Sequence, residues 1–174
     1  MKVDAEKAKN IKMLILDVDG VLTDGGIILA EDGTEMKLFN SQDGHGIKLW
    51  QRAGLETAII SGRVTNVTAK RAEQLDIKYV MQGCKKKLPA YESLLEKVGL
   101  TAAQTAYIGD DTIDIPLVRR AGFGAAVENA VDELKHYADY TTKRKGGSGA
   151  VREVIELLLK ASGRWDSLME RYLI

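Results

Sequence analysis

Apolar residues along the chain fall into short unbroken runs separated by amphipathic stretches. Ile11–Leu16 is a near-continuous apolar run, the pattern of a strand buried on both faces of a parallel sheet. Thr57–Ile60, Tyr79–Met81, Thr105–Ile108, Phe123–Val127 and Tyr140–Thr141 read as further strands. Helical spacing fills the intervals: Val64–Leu75, Pro89–Val98 closed by Gly99, and a helix around Ile113–Arg120 closed by Gly122. Val151, Val154, Ile155, Leu158 and Leu159 recur at helical spacing and predict an amphipathic helix. Ile27–Ala30 and Met36–Phe39 flank Glu31-Asp32-Gly33-Thr34, and an Asp-Gly pair between apolar stretches predicts a β-hairpin.

Alternating strands and helices imply an α/β fold, a doubly wound parallel sheet with helices on both faces. No linker or repeat divides the chain. Residues 1–174 therefore read as one domain, with a hairpin flap over 26–40 and a helical tail over 163–174. That tail carries Trp165, Leu168, Met169, Tyr172 and Leu173, which suit packing on the domain itself or on a neighbour.

Composition adds exclusions. Twenty-five Lys and Arg balance 25 Asp and Glu, so no overall field favours nucleic acid or an anionic membrane. The basic runs Lys85-Lys86-Lys87 and Lys143-Arg144-Lys145 read either as solvated faces or as anion-binding groups. Cys84 alone builds no disulfide framework, and the charged N-terminal stretch lacks the apolar segment of a signal peptide. A cytoplasmic setting is the resulting expectation. His45 and His136 are too scattered to suggest zinc, and Trp50 lies at a core spacing.

In a doubly wound sheet, ligands bind beyond the carboxyl ends of the strands. Asp17 and Asp19 follow the first strand, Ser61 the second, and Asp110, Asp111 and Asp114 the fourth, while Lys87 lies at a helix start. Carboxylates converging in one crevice repel one another and call for a cation, and all-oxygen ligation suits Mg²⁺. A lysine and a hydroxyl at the same rim complete a cradle for a phosphoryl group. Taken singly, each residue has an ordinary structural reading as an N-cap, a turn former or a surface lysine.

The stretch Asp17-Val18-Asp19-Gly20-Val21-Leu22-Thr23 resembles the first motif of the haloacid dehalogenase superfamily. Ile60-Ser61-Gly62-Arg63 resembles the second motif, Lys87 the third, and Gly109-Asp110-Asp111-Thr112-Ile113-Asp114 the fourth. Lys85 and Lys86 compete for the third motif, and the family's Gly-x-x-x-Lys spacing counted from Gly83 selects Lys87. The resemblance implies that Asp17 is a nucleophile forming an aspartyl-phosphate and that Asp19 is the general acid and base. It implies Mg²⁺ held by the Asp17 carboxylate, the Asp19 carbonyl and Asp110. Ser61 and Lys87 would bind the phosphoryl group, Asp111 and Asp114 would act through metal-bound water or by orienting Lys87, and Thr23, Gly62 and Arg63 would face the substrate.

Most members of that superfamily carry a cap domain. Here the stretch between Asp19 and Ser61 has room only for the hairpin and one helix, and one helix–strand unit separates Ser61 from Lys87. Among capless members the chain is similar to the phosphatases of 3-deoxy-D-manno-octulosonate 8-phosphate, a sugar phosphate of lipopolysaccharide synthesis. Phe39-Asn40, Asp43-Gly44-His45-Gly46 and Gly146–Glu153 carry that likeness. It implies a homotetramer in which packed hairpins let a neighbouring subunit cover each site. The glycines of 146–149 suit either backbone approach to a substrate or a tight turn. Arg63 suits a substrate carboxylate and favours the eight-carbon sugar over nine-carbon sialic-acid-type 9-phosphates, whose phosphatases tend to carry an acid there. Two readings compete. A receiver domain shares the sheet and acidic cluster but orders its motifs differently, and a non-catalytic oligomerisation module would not need every catalytic position filled.

Overall fold

The computed structural model describes residues 4–174. Its main sheet has six parallel strands in the order β5-β4-β1-β6-β7-β8. In chain order these are β1 (Met13–Leu16), β4 (Glu56–Ile60), β5 (Tyr79–Met81), β6 (Thr105–Gly109), β7 (Phe123–Ala126) and β8 (Tyr140–Thr141). The short antiparallel hairpin of β2 (Ile28–Leu29) and β3 (Glu35–Met36) stands apart from that sheet. The expected α/β doubly wound architecture is therefore the observed one.

Strand β1 sits at the centre because it is apolar on both faces. Met13, Leu14, Ile15 and Leu16 are all fully buried, and Leu16 is in register with Ile59 of β4 and Ile108 of β6. The chain leaves that strand at Asp17, whose backbone N–H still donates to the carbonyl of Ile108 at 3.2 Å. The first acidic residue is thereby fixed to the rigid centre of the sheet rather than to a loop.

The helices are α1 (Ala5–Asn10), α2 (Ser41–Arg52), α3 (Asn66–Gln74), α4 (Lys87–Val98), α5 (Ile115–Arg120), α6 (Asp132–Tyr137), α7 (Ala150–Ala161) and α8 (Trp165–Met169). One group packs α2 against α7, with α1 and α8 beside them; another joins α4, α5 and α6. Helix α1 lies in the N-terminal stretch, of which residues 1–3 fall outside the described residues. The apolar stripe of α7 is buried throughout, as its periodicity predicts. Trp50 is buried as well, and its indole N–H donates to the carbonyl of Glu56 at 2.8 Å.

Two elements begin where their caps dictate. Thr65 caps α3 through its side chain, so the helix starts at Asn66, two residues inside the predicted segment. Helix α4 starts at Lys87, ahead of the predicted Pro89, because proline in a first turn gives up only an N–H that has no helical partner. Gly99 closes α4 in the left-handed conformation, φ 66°. No helix of the described residues is long and apolar enough to cross a membrane.

Candidate active site

Asp17 and the Gly109–Asp114 segment meet at the carboxyl ends of β1 and β6, and the start of α4 brings Lys87 to them. The Lys87 side chain is completely buried, with Nζ 2.8 Å from Asp17 Oδ1 and 2.7 Å from Asp114 Oδ1. Lys85 and Lys86 are exposed, so burial singles out the residue that the glycine spacing selects. Burial opposes the ammonium charge, and the two carboxylates outweigh it, holding Lys87 above its ordinary value.

Asp114 is fully engaged. Its Oδ1 also accepts from the Tyr107 hydroxyl at 2.6 Å, and its Oδ2 accepts from the backbone N–H of Asp110 at 3.0 Å and of Asp111 at 3.3 Å. The carboxylate therefore orients Lys87 and folds the turn that presents Asp110. Gly109 makes that turn possible, since a Cβ there would lie 2.5 Å from the Asp114 Cβ. Asp111 is exposed and caps the next turn, its carboxylate accepting from the Thr112 N–H at 2.6 Å, so that of these two acids it is Asp114 that orients Lys87.

Oxygens of Asp17, Asp110 and Asp114 lie within 4.8 Å of one another. Burial pushes Asp17 up to about 6, opposed by Lys87 and reinforced by Asp114. Asp110 is pushed up to about 8 by burial and then by the neighbouring charges of Asp17 and Asp114. Three carboxylates crowded in this way, two of them buried and with one lysine for company, fit a hard divalent cation. Gly20 packs directly beneath Asp110: with φ +91°, it has no room for a Cβ, which would lie 2.0 Å from Asp110 Oδ2. The backbone after Asp19 thus reaches the same spot.

The remaining first-motif residues hold the loop itself. Thr23 is buried, and its hydroxyl accepts from the N–H of Gly20 at 3.3 Å and of Gly25 at 3.2 Å. Its oxygen closes the loop on itself. The 146–149 segment braces this loop from outside. A Cβ on Gly146 would fall 1.6 Å from the Gly20 carbonyl oxygen, and one on Gly147 would fall 2.5 Å from the Asp24 nitrogen. These glycines therefore permit contact with the protein's own loop. Buried Asp43 of α2 fixes the segment by accepting from the N–H groups of Gly149 at 3.2 Å and Arg152 at 2.8 Å.

Ser61 is buried at the end of β4, and its Oγ accepts from the Arg63 N–H at 3.3 Å, with Gly62 between them. The Arg63 guanidinium reaches across to the hairpin: Nη2 donates to Glu35 Oε2 at 2.7 Å, and Nε lies 3.8 Å from Asp19 Oδ2. Lys37 joins them, ion-paired to Asp19 and 2.8 Å from Glu35 Oε1. Neither Glu35 nor Lys37 stands among the sequence-derived candidates. The signal for them is period-2 alternation, which sets these two charges on one side of the hairpin strand and Met36 and Leu38 on the other. Tyr107 is a second omission. A phenol hydroxyl in the buried run Thr105–Gly109 needs a partner, and that partner is Asp114.

Residues 80–155 match the model of the haloacid dehalogenase-like hydrolases. The chain is 46% identical over 160 residues to the 3-deoxy-D-manno-octulosonate 8-phosphate phosphatase KdsC of Escherichia coli K12, covering 92% of this chain and 85% of that protein. The crystal structure of 3-deoxy-D-manno-octulosonate 8-phosphate phosphatase from Moraxella catarrhalis, in complex with magnesium, phosphate and KDO, is 43% identical. It superposes with a TM-score of 0.94 over 97% of each chain. The cobalt-bound deoxy-D-mannose-octulosonate 8-phosphate phosphatase of Haemophilus influenzae is 38% identical, with a TM-score of 0.91 over 97% of this chain and 99% of that one.

Proposed function

Because the chain belongs to the haloacid dehalogenase-like hydrolases, we propose that it releases phosphate from 3-deoxy-D-manno-octulosonate 8-phosphate, in lipopolysaccharide synthesis. The observation that carries this reading is the buried Lys87 set between Asp17 and Asp114, with Asp110 beside them. A lysine held there keeps one carboxylate oriented and offers a cation to a phosphoryl oxygen.

Asp17, anchored to β1, is the nucleophile. Its carboxylate oxygen attacks phosphorus, the bond from phosphorus to the sugar oxygen breaks, and Asp19 gives its proton to that departing oxygen. An acyl phosphate on Asp17 results. Water then attacks the same phosphorus, its proton passes to Asp19, and the bond to Asp17 breaks to free inorganic phosphate. Lys87 neutralises charge on Asp17 and on the phosphoryl group, while Ser61 binds a phosphoryl oxygen. Asp17, the Asp19 carbonyl and Asp110 would hold Mg²⁺, which when bound offsets repulsion between an anionic nucleophile and an anionic ester. Arg63, on the rim, receives the sugar carboxylate through paired hydrogen bonds.

Two further parts of the reading rest on other features. The exposed apolar side of the hairpin supports a homotetramer in which a neighbour covers the site. The unpaired Cys84 suits a reducing, cytoplasmic setting.

The test is phosphate release with Mg²⁺ from the eight-carbon 8-phosphate and from a nine-carbon sialic-acid-type 9-phosphate. Preference for the first is expected, with release abolished by a chelator and by Asp17→Asn. Preference for the second discards the substrate, and no release from either discards the phosphatase.

A further inference from the structure

Four charged side chains meet between the hairpin and the strand ends. Lys37 Nζ pairs with Asp19 and, at 2.8 Å, with Glu35; Glu35 in turn accepts from Arg63 at 2.7 Å, and Arg63 lies 3.8 Å from Asp19. Their exposures differ in an informative way. The Lys37 side chain is 1% exposed, those of Glu35 and Asp19 are 14% and 20%, and that of Arg63 is 43%. Arg63 stays accessible to a ligand, whereas Lys37 is sealed in.

A sealed lysine costs much solvation, and its two carboxylates supply the compensation. Burial works against its charge, but the hydrogen bond to Asp19 and the ion pair with Glu35 outweigh that and hold the ammonium above its ordinary value. The hairpin alone is too short to impose this placement, since its ladder consists of only two residue pairs, Ile28 with Met36 and Leu29 with Glu35. The ion pairs tie the hairpin to the site, and through Lys37 they fix the rotamer of Asp19.

We propose that Lys37 is a positioning residue for Asp19, so that the hairpin sets the geometry of proton transfer at the active site. This rests on the reading of Asp19 as general acid and base. Lys37 touches no reacting atom. It holds the Asp19 carboxyl on one side, where the group can give its proton to the departing sugar oxygen and take one from the incoming water. Glu35 keeps Lys37 and Arg63 apart and shares charge with both. Without the ammonium, Asp19 is free to turn towards Arg63 or solvent, and each productive encounter waits for it to return.

The role separates from a merely structural one through the leaving group. A sugar alkoxide needs a proton as it departs, whereas 4-nitrophenolate leaves without one. In Lys37→Met, kcat for the sugar 8-phosphate is expected to fall by about 10- to 100-fold, a part of what a general acid contributes, with KM nearly unchanged. The kcat/KM for 4-nitrophenyl phosphate, measured on the same preparation, is expected to fall by a factor about ten times smaller. Lys37→Arg, which keeps a cation, should regain most of the lost kcat. Equal losses on both esters, as misfolding would give, overturn the proposal, and so does a loss expressed mainly in KM. A wild-type protein that releases phosphate from neither ester removes the functional reading on which the proposal stands.

Discussion

Lys87 is the residue on which the candidate site turns, because it is the fully buried cation joining two carboxylates from the segments that follow different strands. Replacing it by methionine keeps the bulk and removes the charge, leaving Asp17 and Asp114 crowded with nothing between them. Breaking a buried pair in this way costs about 3–5 kcal/mol, and the two acids recover part of it by taking up protons. Lys87→Met should therefore lower the urea midpoint markedly and abolish phosphate release, while Lys85→Met, an exposed neighbour, leaves the unfolding free energy within about 0.5 kcal/mol of wild type. A Lys87→Met protein with unchanged stability would mean that Asp17 and Asp114 do not depend on it. The motif residues were legible because each sits at a strand end or helix start, where type and spacing carry the information. Tyr107, Glu35 and Lys37 were not singled out, since their roles depend on which side chains the fold brings opposite them. Thr23 and Asp111 stood in the motifs, but a hydroxyl or carboxylate can close its own loop as readily as it can face a ligand, and the spacing does not distinguish these.

The hairpin is where local pattern and observed element differ most. Its turn forms as expected, with Gly33 at φ +84° and Asp32 accepting from the Thr34 N–H at 2.8 Å, but the ladder is shorter than the apolar stretches that predict it. Beyond that ladder, Ile27 and Leu38 have no strand partner. With Ile28, Leu29 and Met36 they are half or more exposed. Such a hairpin is marginal in water by itself; the charges on its inner side supply part of what the ladder does not, and in the proposed tetramer a neighbouring copy would cover its outer side. If the proposed tetramer packs through this side, Leu29→Asp combined with Leu38→Asp should give smaller species than the wild type in sedimentation velocity and leave the main sheet folded. A protein that sediments as before would remove the hairpin from the interface. The helices α1 and α6 escaped the pattern for a simpler reason. Each is six residues long and buries one residue, Ala8 or Leu134, too few for any period to show.

At the scale of the whole molecule, the acidic crevice couples folding, protonation and cation binding. Asp17 at about 6 and Asp110 at about 8 hold protons in the folded state that the unfolded chain has already released near pH 4. Because the folded state then binds more protons at these two groups, they take stability from the metal-free protein as pH rises from about 4 to about 8, while His45, held below its ordinary value by burial and nearby arginines, works in the opposite direction. Buried Asp43, also raised by its burial, contributes in the same direction as Asp17 and Asp110, while Lys87, held above its ordinary value, stays charged across this window. A divalent cation reverses the effect at Asp17 and Asp110 alone, because it binds the deprotonated carboxylates and so competes with their protons. Mg²⁺ should therefore raise the melting temperature little at pH 5 and progressively more towards pH 8, as its apparent Kd tightens. The difference between melting curves with Mg²⁺ and with chelator isolates the crevice, since Asp43 contributes equally to both. In Asp110→Asn that difference should shrink at every pH and lose most of its slope. A Mg²⁺-dependent shift of constant size from pH 5 to pH 8 would mean that the cation binds where no proton has to leave, and would place it outside the Asp17–Asp110 pair.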